Sequence, residues 1–322
     1  MASKSKIHRV SAGFARRAAF AKNGLPPMTP TPFLLTKNAV CALLSLSLAL
    51  HAADEISVRG STAAAEPVAA AAAQIKKDID VEFRVVTEGG NATAIAGMAE
   101  DVVDVAVASR ALTARERGEW PARNFVETRM GMQALVVVVP DQVWEGGVHA
   151  LTKEQMRDIY EGKITNWKAV GGAEGPLVFY TRPVGGSVWE LFTAFLYEDT
   201  RKAPMSTAET LGEPSDVSVS VEFNSKAISV LEFGSFKGGH LHALGIKLPD
   251  GSIVEPTTAN IASGRYAIAR PLMMITARKP AGAVRRFVEY MLSPAGQEFV
   301  KKTGHVTNAE LAMPKKPQPQ LR

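Results

Sequence analysis

Apolar and polar residues alternate along the chain in blocks that predict strands followed by helices. The predicted strands are 55–60, 81–86, 102–108, 133–140, 177–180, 227–233 and 267–276. Small residues such as glycine, serine and threonine follow the first three strands, and a helix-like stretch comes next each time. Strands that alternate with helices across short turns are typical of an α/β sheet with binding residues at the strand ends.

Apolar residues at helical spacing predict helices between these strands. The predicted helices are 67–77, one that opens at 94, 152–161, 188–197, 283–292 and 293–303. Thr152 and Gln155 have the spacing of a capping box, and Ser293 with Pro294 is a typical helix start. Residues 200–218 are polar and irregular, which predicts a surface excursion.

The stretch 180–192 combines the features of an oxyanion site. Arg182 follows an apolar strand, and Gly185, Gly186 and Ser187 come directly before a helix. A helix start offers free backbone N–H groups and a positive dipole end, and an arginine can donate to two oxygens at once. On these residues alone, an ordinary glycine turn beside a surface arginine explains the pattern equally well.

The basic charge of the chain is concentrated in residues 1–52, which hold seven Lys and Arg and no acidic residue. Without those seven, the 37 basic residues of the chain fall to 30, against 32 acidic ones. The rest of the sequence contains no basic patch with interleaved aromatic residues. We therefore expect no nucleic-acid partner.

The first 53 residues have the pattern of a leader with a secretory signal peptide. An apolar run at 39–50 follows Lys37 and ends in Ala52 and Ala53, after either of which cleavage is expected. The run lies unusually deep, so Met28 is a possible true start, and a buried apolar helix is the alternative interpretation. Cys41 lies inside this run and is the single cysteine. A mature chain without cysteine excludes disulfides, thiolate metal sites and a cysteine nucleophile.

Two further patterns are open to more than one interpretation. Asp104 stands in an apolar strand, where a carboxylate needs either a charged partner or a structural role in capping a backbone turn. His240 and His242 have the spacing of a metal pair, but no third ligand is evident nearby. We interpret the two histidines as exposed turn residues and expect no metal site.

Five stretches occur in the order found in one family. They are 59–62, 103–110, 151–167, 260–272 and 290–300. Over about 55–305 the chain resembles the phosphate-binding proteins of bacterial ABC phosphate importers. The resemblance implies an α/β fold that is two-lobed and periplasmic-binding-protein-like (type II), with hinge strands at 133–139 and 268–276. It also implies one lobe from 54–138 and 266–310 and a second lobe from 139–265. The basic, proline-rich composition at the end of the chain predicts a disordered tail at 311–322.

The same resemblance implies a set of ligand-binding residues. They are Thr62, Asn91, Asp104, Arg182, Gly186 and Ser187. The chain departs from the family where Gly185-Gly186-Ser187-Val188 replaces the usual Gly-Ser-Gly-Thr, and where Gly90-Asn91 replaces a serine. Two side-chain donors are affected, so we expect weaker phosphate binding or a related oxyanion as ligand.

The function implied by the resemblance is capture of inorganic phosphate in a cleft, without a cofactor. The protein would be periplasmic, monomeric and a partner of an inner-membrane ABC permease. Asp104, as an acceptor-only carboxylate, would favour phosphate and arsenate over sulfate. Two alternatives are a sensor or interaction protein on the same fold and an enzyme such as a phosphatase. The sequence has no Gly-x-Ser-x-Gly elbow and its six histidines are scattered, which argues against the enzyme.

Overall fold

The structure is a computed structural model that describes residues 54–312. The predicted leader, 1–53, lies outside the described residues, and so does the predicted tail except for Leu311 and Ala312, which end a helix. Within residues 54–312, no helix has the length and apolar character needed to cross a membrane.

The described residues alternate between strands and helices for most of their length. The strands are β1 (Asp54–Gly60), β2 (Val81–Val86), β3 (Val105–Ala108), β4 (Val126–Pro140), β5 (Ala150–Leu151), β6 (Val178–Phe179), β7 (Ala227–Glu232), β8 (Leu241–Lys247), β9 (Ile253–Val254), β10 (Ala269–Thr276) and β11 (Val306–Thr307). The helices are α1 (Thr62–Ile79), α2 (Gly90–Ala99), α3 (Ala114–Glu119), α4 (Asp141–Glu145), α5 (Lys153–Tyr160), α6 (Ser187–Tyr197), α7 (Pro214–Phe223), α8 (Thr258–Ala262), α9 (Gly282–Leu292), α10 (Pro294–Lys302) and α11 (Asn308–Ala312). The capping box at Thr152 and the cap at Ser293 are both present, as predicted.

The main sheet has the strand order β2-β1-β3-β10-β4-β7-β6. β1 runs parallel to β2 and β3, whereas β10 runs antiparallel to β3 and β4. The far half of β4 pairs with β7 and β8. The mixed sheet with helices between its strands confirms the predicted α/β class.

Separate cores cover the two ends of this sheet. At one end, α1, α9 and α10 cover one face of β1, β3 and β10, and α2 covers the other face. At the other end, α5 and α6 pack on one face of β4 and β7, and α7 packs on the opposite face. We call these ends the first half and the second half. The residue boundaries predicted for the two lobes stay a prediction.

The pairing of β4 with β10 contains an irregularity where the core changes. Leu272 is opposite Gly131, but Met273 is opposite Arg129, so Met130 has no partner in the ladder. Such a bulge bends a strand and increases its local twist. Met130 packs in the core of the first half, and Met132, two residues along, packs in the core of the second half.

The predicted surface excursion at 200–218 is wrong from Pro214 onward, where helix α7 begins. Pro214 is the first residue of the helix, where its fixed φ fits and its missing N–H is no loss. Val217 and Val221 lie on one face, four residues apart, and are fully buried against the sheet. Ser218 and Ser220 between them, with Asp216 before and Glu222 after, hide this short stripe in the sequence.

Helix α1 begins five residues earlier than predicted. Pro67 suggested the first turn, but Ser61 is the N-cap and its hydroxyl accepts from the Ala64 N–H at 3.4 Å. Thr62 is the first residue of this helix and is exposed.

The two histidines at 240 and 242 share one carboxylate. His240 Nδ1 lies 2.6 Å from Asp141 Oδ2, and His242 Nε2 lies 2.7 Å from Asp141 Oδ1. His240 lies in an exposed turn, as predicted, whereas His242 belongs to β8 and is part-buried. Asp141 raises the pKa of His240 through its hydrogen bond and charge, and these two hydrogen bonds lower the pKa of Asp141 itself.

We expect Gly60→Ala to destabilise the fold because a Cβ at Gly60 would lie 1.7 Å from the Val107 carbonyl oxygen. That oxygen also accepts from the Ser61 N–H at 3.0 Å, so the backbone cannot move away freely. Overpacking of this kind costs roughly 1–3 kcal/mol. Urea unfolding followed by circular dichroism measures the loss.

The matched control is Gly118→Ala. Nothing lies within 4 Å of the added Cβ, and Gly118 is in α3. Alanine is the better helix former there, so this variant should be neutral or slightly more stable. Equal unfolding midpoints for the two variants would contradict the predicted clash.

Candidate functional site

A tight turn leads from Arg182 into helix α6. The Gly186 N–H donates to the Pro183 carbonyl at 3.1 Å, and Gly185 has φ +80°, a conformation that favours glycine. Helix α6 then begins at Ser187 without a side-chain cap. Its first N–H groups are therefore available to an anion.

The Arg182 guanidinium is buried beside this helix start, with only 5% of the residue exposed. Its Nη2 donates to the Gly212 carbonyl at 3.0 Å and lies 3.4 Å from Glu232 Oε1. Nε and Nη1 of Arg182 have no hydrogen-bond partner among the described residues, and neither has Glu232 Oε2. Unpaired buried donors on a charged group are costly, so this arrangement is suited to a ligand that supplies acceptors.

A cavity of about 240 Å³ is lined by both Arg182 and Glu232. Its lining residues include Glu66, Arg182, Gly186, Ser187, Gly212 and Glu232. All but one of these come from the second half of the molecule. Glu66 comes from α1 in the first half, so the cavity lies where the two halves meet.

Glu66 joins the starts of two helices. Its Oε1 accepts from the Ser187 hydroxyl at 2.7 Å, although the two residues are 121 positions apart in the sequence. On the other side, Glu66 Oε2 lies 3.3 Å from Nε2 of His305, which is 1% exposed. His305 Nε2 is not aligned for a hydrogen bond to this oxygen.

Arg270 provides a second guanidinium next to the cavity. Its Nε donates to Gln133 Oε1 at 2.8 Å, and its Nη2 donates to the Ser187 carbonyl at 3.3 Å. Nη2 also lies 3.7 Å from Glu190 Oε2. Burial raises the pKa of Glu190 and lowers the pKa of Arg270, because both charged forms lose contact with water.

Three of the predicted site residues come together in this cavity: Arg182, Gly186 and Ser187. Thr62 lies one helical turn before Glu66 but does not line the cavity. The Asn91 amide is engaged elsewhere, because its Oδ1 accepts from the Ser109 N–H at 2.9 Å and its Nδ2 donates to Ser109 Oγ at 3.1 Å.

Asp104 is not part of this arrangement, so the expectation that it faces the anion beside Arg182 is wrong. It lies before the first residue of β3, is exposed, and accepts from the Ser57 N–H at 2.8 Å and the Ser57 hydroxyl at 2.7 Å. It lines a different cavity of about 300 Å³ together with Asp101 and Arg278. Asp104 thus has the structural role that the sequence left open, capping backbone on the neighbouring strand.

The sequence interpretation missed Glu66, Glu232 and Arg270. Glu66 is four residues after Thr62, so its side chain is on the same helix face as a residue that was considered. Arg270 is opposite Gln133, which precedes the apolar run of β4, and paired polar residues in buried strands are a usable signal. Glu232 ends a buried strand, and nothing local distinguishes it from an exposed residue.

Arg110 also follows β3, but its charge is neutralised within the chain. Its Nη1 and Nη2 donate to the two carboxylate oxygens of Glu116 at 2.8 and 2.7 Å. Glu116 also completes a capping box with Thr113 at the start of α3. The Arg110 guanidinium, followed by hydrogen bonds from Thr113, lowers the pKa of Glu116 to about 2.

Comparison with known proteins places these features in one family. A family model described as the PBP superfamily domain matches residues 49–295. The phosphate-binding protein PstS of Bacillus subtilis (strain 168) is 25% identical over 252 residues, covering 77% of this chain and 79% of the relative.

Two solved structures have similar folds. A possible phosphate-binding protein from Planctomyces limnophilus superposes with a TM-score of 0.70 at 22% identity, covering 79% of this chain and 93% of that one. An ABC-type phosphate transport receptor from Vibrio cholerae superposes with a TM-score of 0.60 at 25% identity, covering 78% of this chain and 99% of that one. These likenesses confirm the predicted two-lobed α/β fold.

We expect Glu116→Gln to remove stability in a pH-dependent manner. The pKa of Glu116 is lowered on folding, so its contribution is complete above the ordinary value near 4.5 and is lost as the pH falls towards about 2. At pH 6 the variant should be less stable by about 1–2 kcal/mol, since solvent screens the partly exposed Arg110. Urea unfolding at pH 6 and pH 3 measures the difference in unfolding free energy between the variant and the unaltered protein. A difference that is larger at pH 3 than at pH 6 would contradict this prediction.

Proposed function

Because this chain belongs to the PBP superfamily, we propose that it captures inorganic phosphate in the cavity between its two halves. The observation that carries this proposal is the buried Arg182 guanidinium, which has two unpaired nitrogens at the start of helix α6. The names of the relatives, which are phosphate-binding proteins and phosphate transport receptors, support the same ligand.

The geometry gives each part of the cavity a role in binding an oxyanion. Nε and Nη1 of Arg182 are charged donors without a partner, and the oxygens of a phosphate are acceptors for such groups. The uncapped N–H groups of α6 and the Ser187 hydroxyl provide neutral donors at the same place. Arg270 adds positive charge behind the helix start.

Glu232 takes the role in selectivity that was expected of Asp104. Glu232 lines the cavity, and its Oε2 is buried without a hydrogen-bond partner. An ionised carboxylate only accepts hydrogen bonds, and phosphate at neutral pH retains a proton that it can donate. Sulfate has no such proton, so it would meet an unpaired like charge.

We further propose that the protein is exported to the periplasm and delivers phosphate to an inner-membrane ABC permease as a monomer. The predicted leader at 1–53 and the ABC-type receptor among the similar structures support this. We propose binding rather than catalysis, in line with the names of the relatives. A sensor or interaction protein on the same fold is the alternative, and it is favoured by the number of carboxylates around the cavity.

Calorimetric titration with phosphate, arsenate and sulfate tests the ligand. We expect phosphate and arsenate to bind and sulfate to bind more weakly. Glu232→Gln should narrow the gap because an amide can turn a donor towards sulfate. Asp104→Asn is the control and should leave the preference unchanged, since Asp104 lines another cavity. Equal affinity of the unaltered protein for phosphate and sulfate would contradict the proposed ligand.

Arg182→Ala should weaken phosphate binding strongly because it removes the buried charge. Losing one partner of a buried charge pair costs about 2–5 kcal/mol, which corresponds to roughly 30-fold to several thousand-fold. Trp189 lines the cavity and donates to the Tyr160 hydroxyl at 3.1 Å, so its fluorescence should report binding alongside calorimetry.

The matched control for this variant is Arg201→Ala. The Arg201 side chain is 88% exposed and pairs with Asp199, away from the cavity. Its affinity for phosphate should equal that of the unaltered protein. A loss of less than threefold for Arg182→Ala, with folding intact by circular dichroism, would show that the anion binds elsewhere.

A further inference from the structure

The Glu66 carboxylate occupies a place suited to an oxyanion. Its Oε1 accepts a hydrogen bond from the Ser187 hydroxyl at 2.7 Å. Ser187 is the first residue of helix α6, which has no side-chain cap. A carboxylate at a helix start is stabilised by the positive dipole end and by N–H groups nearby. Glu66 also lines the same cavity as the unpaired nitrogens of Arg182.

The charges around the cavity oppose binding of a second anion. Arg182 and Arg270 are the two guanidiniums in and beside it, and the carboxylates are Glu66, Glu190, Glu213 and Glu232. With all six groups ionised, negative charges outnumber positive ones by two. Phosphate would add charge of the same sign in a partly desolvated space, where repulsion is poorly screened. Glu66 and phosphate therefore disfavour each other.

Glu66 is free to leave this place without disturbing the core. Its side chain is 35% exposed, so a rotation can carry the carboxylate into water. The rest of α1 stays fixed by alanines and Val68, which are fully buried. Glu66 thus makes one displaceable hydrogen bond, to Ser187, across the two halves of the molecule.

We propose that Glu66 is an internal anion that holds the cavity closed in the free protein and must move out for phosphate to enter. This inference rests on the proposed function, since it concerns the same cavity. The free protein is then divided between a form blocked by Glu66 and a form ready to bind. The apparent affinity is the intrinsic affinity reduced by the fraction that is ready.

Phosphate titration of Glu66→Ala by calorimetry tests this directly. Removing the carboxylate should tighten phosphate binding by about 10-fold to 100-fold, the range expected for breaking one charge-assisted hydrogen bond. Glu66→Gln keeps the size of the side chain and an acceptor for Ser187 but loses the charge. Its affinity for phosphate should therefore lie between those of the unaltered protein and of Glu66→Ala. Alanine is a good helix former, and the variant should keep its helical circular dichroism.

Glu145→Ala is the control for the loss of one negative charge. Glu145 is exposed at the end of α4 and does not line the cavity. Its phosphate affinity should match that of the unaltered protein. If Glu145→Ala tightens binding as much as Glu66→Ala does, overall charge explains the gain and the proposal for Glu66 is overturned.

The remaining outcomes separate this inference from the proposed function. Weaker or unchanged phosphate binding by Glu66→Ala would overturn the inference while leaving phosphate capture intact. Binding by Glu66→Ala but not by the unaltered protein would support both. Failure of every form to bind phosphate would overturn both the proposed function and the competition at Glu66.

Small-angle scattering without phosphate gives a readout that does not depend on binding. The Glu66–Ser187 contact joins the two halves, so Glu66→Ala should have a larger radius of gyration than the unaltered protein when both are phosphate-free. Phosphate should compact the variant by bridging the halves itself. Identical phosphate-free profiles for the two proteins would contradict the closing role of Glu66.

Discussion

The burial of one guanidinium governs the chemistry of this molecule. The Arg182 guanidinium is nearly inaccessible to water, and only one of its nitrogens is paired. A fold tolerates such a group when surrounding acceptors or a ligand compensate for the lost hydration. The Gly212 carbonyl and one oxygen of Glu232 compensate in part. The glycine turn, the uncapped start of α6 and the cavity all lie next to Arg182, whose Nε and Nη1 have no partner.

The fold brings distant residues to this point by placing strand ends and helix starts together. Strand β1 ends at Gly60, and helix α1 then carries Glu66 towards the second half. Strand β10 runs through the first half and places Arg270 behind the start of α6. Each half contributes charges of both signs, so contact between the halves is electrostatic as well as steric.

Local patterns were sufficient for most of the fold and for one side of the site. The turn at Arg182, the capping box at Thr152 and the cap at Ser293 depend on neighbouring residues, and each was predictable from the sequence. Glu66 was not, because its partner is 121 positions away. Asp104 was misplaced because the apolar run at 102 suggested an earlier strand start. The strand begins at Val105, so Asp104 lies at the end of the strand opposite to the one where ligands bind.

Met130 has no partner on β10, and this interruption of the ladder affects how the sheet resists bending. At regular positions of a ladder, rotating one part of a sheet against another stretches several hydrogen bonds at once. At the Leu272–Met273 step the ladder is already interrupted, and on β4 Met130 packs in the core of the first half whereas Met132 packs in the core of the second half. A change in backbone torsion at that step would move each core as a rigid body without altering its packing. The surplus residue thus lies where β4 passes from one packed core to the next.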